Sequence, residues 1–177
     1  MIRPLLILLV LAITVGAQPS EIHQMPPKLQ AEILPWFAAR DGKDGVSPFT
    51  RKTLEGLVAP QIKRVALVYF ATWCLPCREG VLRLKEQKGE LQKNGVLVVL
   101  VNVGEQDMGV VQKWVRQFGT EQWPLISDQF GRLTEGFGLV KPEEKITLPR
   151  TIVLSEKLKP LQLIGAEGSD WSEILWR

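Results

Sequence analysis

Val65-Ala66-Leu67-Val68-Tyr69-Phe70-Ala71-Thr72-Trp73-Cys74-Leu75-Pro76-Cys77 is the stretch on which the reading of this chain turns. It opens as an unbroken run of apolar, largely β-branched and aromatic residues, the pattern of a strand buried on both faces, and the run stops where the polarity changes at Thr72. The two cysteines follow at once. Behind them, Arg78 to Asn94 is rich in Glu, Lys, Leu and Gln and contains no proline, which predicts a helix starting near Cys74 with Pro76 in its first turn. Both sulfurs then stand at a helix N-terminus.

The unpaired N–H groups of a first turn and the positive end of the helix dipole favour a thiolate over a thiol. A cysteine held there has its pKa lowered from about 8.5 toward neutrality or below, and Arg78 adds to the pull. Cys74, at the tip, is expected to be the exposed attacking thiol. Cys77 lies less than one helical turn away, so the pair can close a disulfide and reopen it without backbone rearrangement.

Ala-Thr-Trp-Cys-x-Pro-Cys after a buried strand resembles the active site of thioredoxin-fold thiol-disulfide oxidoreductases, in particular the bacterial TlpA/ResA-like group. C-x-x-C alone also serves zinc ribbons, but it becomes a specific redox signature when it follows a strand in a βαβ pattern. The resemblance implies an α/β, thioredoxin-like fold: a central mixed sheet flanked by helices, with a TlpA-type helix-strand insertion. Thr147-Leu148-Pro149-Arg150 precedes a later predicted strand, and on pattern alone this proline marks a strand's start. In the resembling family a proline at this place has a cis peptide bond and stands opposite the C-x-x-C. By that resemblance Leu148 and Pro149 form a platform for an extended substrate segment, a small case of β-augmentation, with Trp73 as an apolar wall.

Three positions depart from the family pattern. Val68 stands where thioredoxins carry a buried aspartate, so the usual proton acceptor for the inner thiol is missing; Glu79 is a candidate substitute, weighed against a solvated helical carboxylate. Leu82 replaces a proline and implies an unkinked helix. Arg150 stands where threonine often follows the platform proline, placing a cation near the docking groove and implying acidic or carbonyl-rich partners.

At 177 residues with 45% hydrophobic content, the chain suits one ordinary domain. Its net charge of +3 is small, and Lys and Arg are interspersed with Asp and Glu, so nothing points to nucleic acid. Met1 to Ala17 reads as a secretory signal, with Arg3 as the charged region, Leu5 to Val15 as the apolar one and Val15-Gly16-Ala17 as the cleavage site. An uncleaved membrane anchor is the lesser alternative, because the apolar stretch falls short of the roughly 20 residues of a spanning helix. No cysteine lies near the cleavage point, which excludes lipidation there. With only two cysteines in the chain, a second, structural pair is impossible, and so short a loop constrains the unfolded chain little.

Residues 18–48, rich in proline and glycine, read as an extended leader with a short helix at Lys28 to Leu34, docked by Trp36 and Phe37. His23, the single histidine, reads as an exposed polar residue. Residues 49–177 form the thioredoxin-like domain, in which Phe49 to Lys63 allows either a strand or a short helix. Val81, Leu84 and Leu91 mark the buried face of the first long helix, and Gly95 ends it. Val96 to Val103 is a second buried strand, parallel to the first across the helix. Asp107 caps a helix whose Val110, Val111, Trp114, Val115 and Phe118 recur at helical spacing and which Gly119 closes. This helix, with an edge strand at Trp123 to Ser127, is the part that resembles the insertion. Phe130, Leu133 and Phe137 mark another helix, stopped by Gly138. A hairpin pairs Thr151 to Leu154 with Leu161 to Ile164, and a helix at Ser169 to Trp176 covers the sheet.

The function these residues imply is an exported or periplasmic thiol-disulfide oxidoreductase, reducing protein disulfides through Cys74 and Cys77 in the manner of cytochrome or metal-site maturation. It needs no cofactor and no metal. Its partners are protein disulfides or dithiols and a membrane-embedded dithiol electron donor, with the protein itself a monomer. The competing class is a thiolate copper chaperone or redox sensor on the same scaffold, since soft thiolates suit Cu(I). A closed four-ligand zinc site cannot form within one copy, for want of further cysteine or histidine in the domain.

Overall fold

In a computed structural model of the chain, residues 22–23, 37–40, 46–49, 51–128, 131–140, 145–165 and 171–176 are described. The expected signal segment 1–17, the helix at Lys28 to Leu34, Trp36, Phe130 and Ser169 lie outside them. Strands β1 (Ile22–His23), β2 (Phe37–Arg40) and β3 (Val46–Phe49) come first, then helix α1 (Arg51–Leu57) and strand β4 (Arg64–Phe70). Phe49 to Lys63, open in the sequence, thus ends a strand and then forms a short helix. Helices α2 (Leu75–Glu86) and α3 (Lys88–Lys93) lead to β5 (Val96–Val103), α4 (Met108–Phe118) and β6 (Leu125–Asp128). The chain closes with α5 (Arg132–Gly136), β7 (Arg150–Ser155), β8 (Pro160–Ile164) and α6 (Trp171–Ile174).

The strands form one mixed sheet in the order β1-β8-β7-β4-β5-β6-β2-β3. β4 is parallel to β5 and β5 to β6, whereas β7 and β8 run antiparallel. β4, central and flanked on both sides, has a continuous apolar sequence because both of its faces are covered. Ala66, Val68 and Phe70 face one core with α2, α3, α4 and α6. Val65, Leu67 and Tyr69 face a second core with Leu54 of α1 and Leu133 of α5.

β6 is not the edge strand its short apolar sequence implied. The hairpin of β2 and β3 adds beyond it, pairing Ala38 to Arg40 with Leu125 to Ser127, so the row of backbone groups that an edge would expose is satisfied. At the other side β1 pairs with β8, setting His23 opposite Leu163.

The single helix expected over Arg78 to Asn94 is instead two, meeting at Gln87 with φ −95° and ψ 12°. Leu82 removes the proline kink, and the break falls instead at Gln87, two residues before the weak helix former Gly89 in the first turn of α3. Across it Leu84 and Leu91 both stay buried against the sheet. Gly95 then turns the chain at φ +71°, where a Cβ would stand 2.5 Å from the Gln61 carbonyl oxygen. α4 has the predicted ends: Asp107 accepts from the Gly109 N–H at 2.7 Å, and Gly119 closes it in the left-handed region. Val110 is exposed, contrary to expectation, because it lies at the margin of the apolar stripe whose centre is Trp114.

Candidate active site

The site is built where β4 ends. Phe70 stacks on Trp114 of α4 with ring centroids 4.6 Å apart, which ties the last strand residue to the neighbouring helix. Ala71 is buried, and its carbonyl accepts the Cys74 N–H at 3.1 Å, so the chain turns at once into α2. Cys74 is the N-cap residue, with extended backbone; its sulfur accepts the Cys77 N–H at 3.3 Å and its carbonyl the Arg78 N–H at 3.2 Å. Pro76 lies in the first turn, where a missing N–H removes no helical bond.

Cys74 and Cys77 are joined by a disulfide, with Cα atoms 5.3 Å apart. Cys74 is only 5% exposed, against 1% for Cys77, so in this oxidised form the expected exposed thiol is in fact buried. Its sulfur is turned inward by the bond to Cys77 and by the cap interaction. The exposure is displaced to its neighbours: Trp73 is 71% and Leu75 52% exposed. Trp73 therefore presents an exposed apolar surface directly before the disulfide.

The Leu148–Pro149 peptide bond is cis, as the resemblance implies. Register places it: Val68 pairs with Thr151 and Tyr69 with Arg150, so Pro149 immediately precedes β7 at the end of the sheet where β4 leads to the cysteines. Leu148 is half-buried against the core that holds both cysteines. The Arg150 guanidinium donates to the Gly165 carbonyl at 2.7 Å and is half-buried. Glu79 is exposed on α2, the solvated carboxylate of the two readings, and Arg78 is exposed too.

A polar network that the sequence did not flag lies behind the cysteines. Glu105, in the loop after β5, accepts from both the N–H and the hydroxyl of Thr72, each at 2.6 Å. Its other oxygen accepts from the Asn102 amide at 2.8 Å, and the same amide reaches the Phe70 carbonyl at 3.5 Å. A signal was present: Asn102 interrupts an apolar run that is buried on both faces, and a fully buried amide requires partners.

Elsewhere, Tyr69 is buried and its hydroxyl has a pKa pushed well above the ordinary tyrosine value, first by burial and then by the nearby Asp128 charge. Among the described residues no helix is long and apolar enough to cross a membrane, and no three His, Cys, Asp or Glu side chains gather as metal ligands would.

Residues 32–159 match the family model described as AhpC/TSA family. The chain belongs to this family. Within it, similarity runs to the thiol-disulfide oxidoreductase ResA of Halalkalibacterium halodurans, 30% identical over 122 residues, which cover 67% of this chain and 64% of that protein. The AhpC/TSA chain thus spans just under two thirds of that relative's length. Among solved structures, a secreted thiol-disulfide isomerase from Corynebacterium glutamicum superposes with a TM-score of 0.62 at 23% identity, covering 80% of each chain. StoA from Bacillus subtilis superposes with a TM-score of 0.56 at 18% identity, covering 82% of this chain and all of that one. The fold is thioredoxin-like, a mixed sheet flanked by helices.

Proposed function

We propose that this protein is a thiol-disulfide oxidoreductase that reduces protein disulfides outside the cytoplasm. The observation that carries the proposal is the Cys74–Cys77 disulfide at the mouth of α2. Similarity to proteins named thiol-disulfide oxidoreductase ResA supports the same reading.

In the reduced protein the first-turn N–H groups, the Cys77 N–H among them, stabilise Cys74 as a thiolate. This sulfur attacks one sulfur of a partner disulfide, forming a mixed disulfide and releasing the partner's other sulfur as a thiolate, which takes a proton. The Cys77 thiolate then attacks Cys74. The partner leaves with both sulfurs reduced, and the enzyme holds the disulfide seen here: two electrons pass from the dithiol to the partner. Trp73, Leu148 and Pro149 form the surface on which the partner's extended segment lies, with the exposed indole of Trp73 as its apolar wall and the Leu148 backbone offering the hydrogen bonds. A membrane-embedded dithiol protein returns the electrons, Met1 to Ala17 directs export, residues 18–48 lead into the domain and contribute β1, β2 and most of β3 to its sheet, and the protein acts as a monomer.

Insulin reduction tests this directly. The reduced protein accelerates it, Cys74→Ser abolishes the acceleration, and Cys77→Ser accumulates mixed disulfides visible on a non-reducing gel. Undiminished reduction by Cys74→Ser would remove the assigned nucleophile, and absence of trapped adducts would remove protein substrates.

A further inference from the structure

We infer that Glu105 is a positioning residue for the exchange reaction: from the loop after β5 it holds the Thr72 backbone and hydroxyl, and so sets the approach of Cys74. This rests on the oxidoreductase function proposed above. Thr72 is the second residue before Cys74, at the point where the chain has left β4 and has not yet entered α2. A segment between two elements has no ladder to hold it, and its backbone N–H must find a partner elsewhere. Here the partner is a carboxylate oxygen that takes two donors from one residue, each at 2.6 Å. Bonds to a carboxylate are about twice as strong as neutral ones, and two of them on one residue fix both its position and its rotamer.

The clamp is itself held. Glu105 is half-buried, and its second oxygen is bound by Asn102, a fully buried residue of β5 that pairs with Phe70 of β4. The chain of contacts runs from a rigid central strand through Asn102 and Glu105 to Thr72, then through Trp73 to the nucleophile. Thr72 and Glu105 are 33 residues apart, so the contact is tertiary and not a local turn. Its effect is on the N-cap: the extended backbone of Cys74 aims the sulfur at the first-turn N–H groups, and that aim depends on where Thr72 ends.

The role belongs to the hydrogen-bond acceptor, with the charge adding strength to the same two bonds, which makes it separable. Glu105→Ala in the full chain slows insulin reduction by about tenfold or more, the scale on which misplacement of a reacting group is felt. It also moves the Cys74 thiol titration upward, toward the ordinary cysteine value, because the sulfur loses its fixed relation to the helix mouth. Glu105→Gln restores both, since its carbonyl can take the Thr72 donors, and Asn102, whose Oδ1 has no partner among the described residues, can turn to accept the new amide. Thr72→Val, which removes only the hydroxyl bond, slows reduction a few-fold and serves if Glu105→Ala does not fold. Near-UV circular dichroism establishes folding for each variant.

A Glu105→Ala protein that is folded and reduces insulin at the wild-type rate with an unmoved Cys74 titration overturns the inference. So does Glu105→Gln as impaired as Glu105→Ala, or an unchanged rate in Thr72→Val. These outcomes are distinct from failure of the oxidoreductase function itself, in which the wild-type protein is inactive or Cys74→Ser is as active as wild type.

Discussion

Two carboxylates stand at the same end of the sheet, each accepting from the N–H and hydroxyl of a threonine, one near in sequence and the other distant. Asp128 is the last residue of β6, paired in register with Val103 of β5, and Glu105 follows Val103 by one glycine turn. Asp128 is buried and accepts from the Leu133 N–H at 3.0 Å, the Thr134 N–H at 2.8 Å and the Thr134 hydroxyl at 2.6 Å. It thereby caps α5, whose own cap residue, Gly131, has no side chain to do so. All three donors are five or six residues away in sequence. Glu105 reaches instead to Thr72, across from another strand and directly before the cysteines. The first arrangement completes a helix on the far face of the sheet; the second restrains a segment that carries a reactive pair. Similar chemistry, placed on opposite sides of β5, yields stability in one case and geometry in the other.

That contrast orders the expected effects. Cys74→Ser sets the floor: exchange falls by roughly three orders of magnitude or more, as when a nucleophile is removed, with folding intact, and stopped-flow insulin reduction measures it. Asp128→Ala comes next, on stability. It leaves buried donors without partners, at about 1–3 kcal/mol for each such group, so chemical denaturation should register a loss of about 2–4 kcal/mol while the rate per folded molecule stays at wild type. A large fall in that rate would dissolve the distinction between the two carboxylates. Glu105→Ala should do the reverse, costing less than about 1.5 kcal/mol in the same denaturation experiment, because its site is only half-buried.

The smallest effect sharpens the comparison at high pH. Tyr69 keeps its proton in the folded state because burial and Asp128 raise its pKa. Its contribution to stability is therefore complete below the unfolded value of about 10 and is lost as the pH climbs from there through the raised folded value. Tyr69→Phe should flatten that part of the alkaline stability curve relative to wild type. Since the chain has a single tyrosine, tyrosinate absorbance reports the same group without overlap, and it should appear only with unfolding or well above pH 10. Ionisation at an ordinary value in the folded protein would contradict the burial of this face.

The strands were legible because β4 and β5 are covered on both sides and so are written in continuous apolar runs. The caps of α4 were legible because Asp107 and Gly119 act on backbone within their own turn. What stayed hidden was non-local. Asn102 in the run before Glu105 signals a buried polar contact but does not name Thr72 as its far end, and nothing at β6 indicates that β2 covers its edge. The break at Gln87 falls between two helical turns that both bury a leucine, Leu84 and Leu91, on the sheet, and a helix-rich composition does not mark it. The cysteine pair was legible from its place between a buried strand and a helix start, the cis proline was reached through resemblance, and the burial of Cys74 was missed because helix position alone does not include its closure into a disulfide.

The nucleophile's acidity is the most direct measure of whether the mouth of α2 makes a reactive sulfur. In the fully reduced protein, the rate of Cys74 alkylation should be followed across pH, with Cys77→Ser isolating the single thiol. Half-maximal reactivity well below about 8.5 is the expected result; a curve centred on the ordinary cysteine value would mean that the helix terminus does not activate it.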